Sequence, residues 1–262
     1  MAWLTYNKHE YVDAILKAKL YFEAKLFRRL HALFREYAHT AIDSYMSYGK
    51  AYFPDSFETA LHFELDRHYK RVSRYFMQIT RNHLVGTKSS DEIQLEISSV
   101  IAEYLNGLSR SRGRYIVRTT VNELSDYTNS VISSLTKDGI IPTRRQIASI
   151  LRPYIDSRNA SRSNTIAITE TNMIAEFSKN AEIQVLIKHN NSIKEASTNA
   201  VKKVWQAVLD ADTREAHAQA HGQSVGSSGE FVVGGESLAY PGDIKGSPGN
   251  TINCRCTVVY EG

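Results

Sequence analysis

Two pairs of soft metal ligands stand near the C-terminus, His217 and His221 in HAQAH and Cys254 and Cys256 in NCRC. Histidines four apart share one face of a helix, and cysteines two apart share one face of a strand. Two imidazoles and two thiolates make a complete tetrahedral set for Zn2+, and a zinc held by four protein ligands is structural, with no position left for a substrate water. The histidine spacing is also that of the His-Glu-x-x-His metalloproteases, in which the glutamate is general base toward zinc-bound water. Ala218 holds that place here, so proteolysis by that route is excluded. Taken singly, each pair reads as surface histidines or small buried thiols. Together, in one glycine-rich segment that needs a staple, they point to a structural zinc as a hypothesis.

Other polar clusters read more plainly. Asp210, Asp212, Glu215 and Asp243 suit helix caps and solvated turns, and Tyr240-Pro241-Gly242-Asp243 is a turn signal by itself. Arg110, Arg114 and Arg118 are spaced four apart, which aligns three guanidinium groups on one helix face for contact with phosphates or an acidic protein. A solvated face explains the same stripe, and Gly113 interrupts it. No glycine-rich phosphate loop, dinucleotide fingerprint or nucleophile elbow is present.

The elements that must position these residues fall into two kinds. Of 262 residues, 42% are hydrophobic and 23% charged, the balance of a folded protein. From about residue 8 to 188 the apolar residues recur at three- and four-residue steps, predicting long helices with breaks near 48–54, at Gly86, between Gly107 and Gly113, and at Asp138–Pro142. Ser89–Glu92 and Thr143–Gln146 have capping-box spacing, the second heading a short helix that stops before Pro153, with a last helix from about Ser157 to Lys188. Nine of the 14 glycines fall in residues 222–262, a density that long helices do not tolerate. Strands are expected at Val201–Leu209, Phe231–Val233 and Thr257–Tyr260, with HAQAH on a short helix. The fold class is therefore α+β: long helices through the N-terminal two-thirds, then a small glycine-rich α+β module. The expected segments are 1–157, 158–190 as a linking helix, and 191–262.

The net charge of +4 is uneven: residues 1–200 hold 27 Lys/Arg against 21 Asp/Glu and residues 201–262 hold 5 against 7, and the basic surplus of the first part suits an acidic partner or weak nonspecific DNA contact. With no signal-like leader and no apolar stretch near the roughly 18 residues of a membrane span, the chain reads as soluble, made in the cytoplasm and without a membrane partner.

The tail runs Lys203-x-Trp205, Asp210-x-x-x-Arg214-x-x-His217-x-x-x-His221-Gly222, then Phe231, Leu238, Tyr240-Pro241-Gly242-Asp243 and Asn253-Cys254-Arg255-Cys256. Before it stands Arg162, followed by Ile166-Ala167-Ile168-Thr169-Glu170. This order resembles the C-terminal domain of the phage Mu protein F-like family of minor head, or head morphogenesis, proteins, over roughly residues 158–260. The resemblance implies a low-copy structural component of a tailed-phage virion, made in the host and seated at the portal vertex of the capsid, without catalysis. It implies portal protein as partner, with major capsid or scaffolding protein and packaged DNA as further candidates; the docking role of residues 1–157 is inferred from their position and composition alone. Arg110, Arg114 and Arg118 are the candidate contacts. Two rival readings are a metal-dependent hydrolase, either nuclease or cell-wall hydrolase, using His217, His221 and Asp210, and a nonspecific DNA-binding structural protein.

Overall fold

The computed structural model describes residues 8–50, 52–84, 91–189 and 201–261. Five long helices come first: α1 (Lys8–Tyr48), α2 (Asp55–Leu84), α3 (Asp91–Leu105), α4 (Leu108–Lys137) and α5 (Arg144–His189). The C-terminal module follows as β1 (Lys202–Gln206), α6 (Glu215–Ala220), β2 (Ser224–Gly226), β3 (Phe231–Val233), β4 (Glu236–Leu238), a single helical turn at Pro248–Thr251, and β5 (Thr257–Glu261). This is the expected α+β class.

The compact units do not follow chain order. One gathers Met1–Ala24, His68–Asn106 and Thr165–Gly262; the other gathers Lys25–Arg67 and Gly107–Asn164. The expected segment 1–157 is therefore shared between two units, while the second half of α5 belongs with the tail. Helices α1, α2 and α5 each contribute to both units, and linear composition carries no signal for such a division.

In the second unit, Ala38, Ala41, Ile42 and Tyr45 of α1 pack with Leu124 of α4 and with Ile147, Ala148, Leu151 and Ile155 of α5. That core explains why the helix expected to stop before Pro153 continues through it. A proline inside a helix costs about 3 kcal/mol, but Leu151 and Ile155 on either side of it are buried, each contributing roughly 1.5–3 kcal/mol. The capping box at its start forms as expected: the Thr143 N–H donates to Gln146 Oε1 at 2.8 Å, and the Gln146 N–H to Thr143 Oγ1 at 3.3 Å. The Ser89–Glu92 box and the Gly86 break begin outside the described residues.

Between α3 and α4 the chain turns only at Gly107, which has φ 76°. The bend expected to reach Gly113 is absent, because Gly113 lies within α4 and lets it approach α2: an added Cβ would lie 3.6 Å from the His62 backbone nitrogen. That is ordinary contact distance. Gly113→Ala should fold normally and gain up to about 1 kcal/mol of helix propensity, whereas Gly113→Leu should lose about 1–3 kcal/mol by overpacking. Thermal melts of the two variants check this.

In the first unit, the tail forms an antiparallel sheet of order β2-β1-β5, with Trp205 opposite Val258 and Lys203 opposite Tyr260. A separate hairpin pairs β3 with β4 through Gly234 and Gly235, both at positive φ as a two-residue turn of this hand requires. Strands β2 and β4 are three residues long, too short to show a period-2 pattern in the sequence. Phe177, Ile183 and Ile187 of α5 pack with Trp205, Phe231, Leu238, Tyr240, Val258 and Tyr260. The module thus has a real apolar core. It does not depend on a staple alone.

Candidate metal centre

Three of the four expected ligands come together. His217, Cys254 and Cys256 are all buried, and their ligand atoms lie within 4.8 Å of one another. His217 Nδ1 is 3.7 Å from Cys254 Sγ and 3.4 Å from Cys256 Sγ. Arg214 begins the turn that presents the imidazole: it donates to the Ile252 carbonyl at 2.6 Å, tying the head of α6 to the approach of the cysteine segment. The Trp205 ring stands edge-on to His217 at 5.8 Å.

His221 is outside the group. Helix α6 ends at Ala220, and His221, with ψ 129°, has already left helical geometry, so the four-residue rule no longer carries its ring to the face of His217. Its exposed side chain braces the backbone instead, where Nδ1 accepts the Ala207 N–H at 3.1 Å. The cysteines precede the last strand rather than lying in it. Asn253, at φ 58°, turns the chain, and the extended stretch after it buries Cys254 and Cys256 while leaving Arg255 half-exposed. Alternation along this extended stretch puts both thiols on one side.

The pair of thiols titrates unequally. Hydrogen bonding from Cys256 lowers Cys254 against its burial, with His217 reinforcing the shift. The hydrogen bond with Cys254 drives Cys256 strongly upward, with burial and the charge on its neighbour adding to the effect. One thiolate is thus already favoured. A cavity of about 30 Å³ touches all three ligand residues and is further lined by Val208, Asp210, Asp212, Thr213, Arg214, Asn253 and Arg255.

A second constellation lies behind the cysteines. Glu176 is fully buried between Lys19, 2.7 Å away, and Lys179, 2.9 Å away. Lys19 also donates to Asn172 Oδ1 at 2.6 Å and to the Cys256 carbonyl at 3.0 Å. Lys179 donates to Thr257 Oγ1 at 2.6 Å and to the Val258 carbonyl at 2.9 Å. Each ammonium thus has three partners, the full complement of its donors. The Glu176 carboxylate also accepts from the Thr257 hydroxyl at 2.7 Å and the Val258 N–H at 2.9 Å. This network fastens the cysteine segment and β5 to α1 and α5. Sequence reasoning missed it, since Glu176 and Lys179 have the spacing of an ordinary surface pair.

The remaining motif residues are structural in the same sense. Buried Lys203 donates to the Ala239 carbonyl at 2.7 Å and lies over the Phe231 ring, and burial lowers its ammonium to about 8. Asp243 accepts the Ala239 and Lys245 N–H groups, closing the turn. Thr169 accepts the Asn253 N–H at 3.0 Å. Asp210 accepts the Thr213 hydroxyl at 2.7 Å and the Asp212 N–H, as a cap does. In the other unit, Arg162 reaches Thr120 and Glu123.

Arg110, Arg114 and Arg118 are exposed along α4. Arg114 pairs with Glu58 at 3.0 Å, and Arg118 lies 5.7 Å over the Tyr115 ring. Among the described residues no helix is long and apolar enough to cross a membrane.

Fold and centre together define a helical protein ending in a small sheet that buries a His/Cys/Cys cluster. The family described as Phage Mu protein F like protein matches residues 129–259, half of the chain, and the chain belongs to that family of phage head morphogenesis proteins. A curated relative from Enterococcus faecalis (strain ATCC 700802 / V583), named NAD(+)--arginine ADP-ribosyltransferase EFV, is 29% identical over 132 residues. Those residues are 50% of this chain and 24% of the relative, so the match spans about a quarter of that protein. No solved structure matches the chain significantly.

Proposed function

We propose that this chain is a structural minor head protein of a tailed phage that docks on the portal vertex during head assembly and performs no turnover. The observation that carries this reading is the family match over residues 129–259. Its polar motif residues support the absence of turnover, because Lys203, Arg214, Asp243 and Asn253 are each engaged within their own unit. Residues so engaged brace the fold. The transferase activity in the relative's name belongs to a protein of which the match covers 24%.

The exposed arginine face of α4 is the docking surface in this reading, directed at an acidic portal patch, with capsid or scaffolding protein and packaged DNA as further partners. Residues 1–157 contribute to both compact units, so the experiment uses the full chain. Co-expressed portal protein is expected to co-purify with the wild type and to be lost when Arg110, Arg114 and Arg118 are all changed to Glu. The exposed Arg114–Glu58 pair is worth at most about 1 kcal/mol, so the variant should remain folded. Undiminished capture by the folded variant would remove α4 as the docking face. A head assembled without the chain would remove the functional reading itself.

A further inference from the structure

We infer that His217 Nδ1, Cys254 Sγ and Cys256 Sγ form a site for one zinc ion whose fourth ligand is a water in the adjoining cavity. The inference rests on donor chemistry, spacing and space, and is independent of the docking role proposed above. Two thiolates and an imidazole are a soft donor set that selects zinc over the hard divalent ions. With Zn–S bonds of about 2.3 Å and Zn–N bonds of about 2.0–2.1 Å, tetrahedral angles place nitrogen and sulfur roughly 3.6 Å apart. The two observed separations are 3.4 and 3.7 Å. A metal at this point would meet a preformed half-shell.

His221 does not supply the fourth position in this arrangement: it lies outside the group, and its Nδ1 accepts the Ala207 N–H. No carboxylate joins the group among the described residues. What does adjoin all three ligand residues is the cavity of about 30 Å³. A single water needs about 10–15 Å³ of such space and several polar partners. Asp210, Asp212, Thr213 and Arg214 line the cavity and supply them. The ion would therefore be held by the protein on three sides and reachable by small ligands on the fourth, unlike a closed four-ligand staple.

The test is metal analysis of the full-length chain purified without added chelator, followed by cobalt substitution. One zinc per chain is expected, retained in His221→Ala and lost in His217→Ala. A folded wild-type chain without zinc overturns the site, and loss of zinc in a folded His221→Ala overturns the assignment of ligands. Should His217→Ala fail to fold, the wild-type cobalt form still decides: thiolate-to-cobalt charge transfer is expected, together with visible bands that shift when azide is added. Absence of the charge-transfer band overturns thiolate ligation, and bands indifferent to azide overturn the open fourth position. None of these outcomes bears on portal docking, which is read by co-purification.

Discussion

Replacing Glu176 by Ala is expected to destabilise the chain by about 3–5 kcal/mol, the cost of leaving buried charges without their partner. Lys19 and Lys179 share this one carboxylate in a site where neither ammonium reaches water. Two cations and one anion leave an excess positive charge in a dry environment. The strain falls on Lys179, which burial lowers to about 8 despite the neighbouring carboxylate. Burial would raise Glu176, but the charges of Lys179 and Lys19 outweigh it and hold the carboxyl below its usual range.

The signs of the pH dependence follow. A carboxyl with a depressed folded pKa contributes stability that is complete above about 4.3 and is lost as pH falls through the folded value. A lysine with a depressed folded pKa gives the opposite sign: between about 8 and about 10.4 the unfolded chain binds the additional proton, so stability rises with pH. Chemical denaturation of Glu176→Ala at neutral pH and near pH about 9.5 separates charge burial from simple cavity formation. Recovery of part of the loss at the higher pH is expected. A loss independent of pH would mean that the lysines escape to water in the variant.

Trp205→Ala should cost a similar amount, about 3–5 kcal/mol, through lost burial and the cavity left behind. Trp205 is fully buried at the centre of the module core, edge-on to Phe231 at 5.3 Å and to His217 at 5.8 Å. It is therefore both a core residue and a wall against the imidazole. Trp205→Phe keeps much of the area and should recover over half of the stability. If zinc is bound, Trp205→Ala should also release it at lower chelator concentration than wild type, because the ring orienting His217 is gone. Denaturation curves read the first effect, and chelator titration with a metal indicator reads the second. A stability loss below about 1 kcal/mol would show that the module does not depend on this core.

The helices were legible because Ile15, Leu16, Leu20, Phe22, Leu26, Phe27, Leu30 and Phe34 recur mostly at helical steps; Ile15, Phe22, Leu26, Leu30 and Phe34 are buried, whereas Leu20 faces solvent. The same logic found His217, Cys254 and Cys256, whose positions follow from local geometry. It failed at His221 because the helix ends one residue earlier, and at Pro153 because tertiary burial overrides a local penalty. The Lys19–Glu176–Lys179 network had no local signature. Lys19 sits in a mixed stretch with Lys17 and Glu23, where nothing marks which charge turns inward. A clue did exist in α5, where Glu170, Glu176 and Lys179 occur among Ile168, Met173, Ile174 and Ala175 with no polar face left for water. A helix buried on all sides must pair its charges internally.

Residue positions also sharpen the meaning of the motif order. Asn172 accepts from Lys19, Thr169 accepts from the backbone of Asn253, and Gly242, at φ 79°, brings the turn to within contact of Met173. Tail motifs at Asn253 and Gly242 are thus points at which the module grips the second half of α5. Their agreement in order reflects one packed unit.

The most direct measurement is a density map of the assembled head of the phage that encodes this chain, taken at the portal vertex. The chain is expected there, with the arginine face of α4 against portal protein and the His217/Cys254/Cys256 cluster buried within it. Mature heads that assemble and package DNA with no copy of the chain at that vertex would contradict the proposed role.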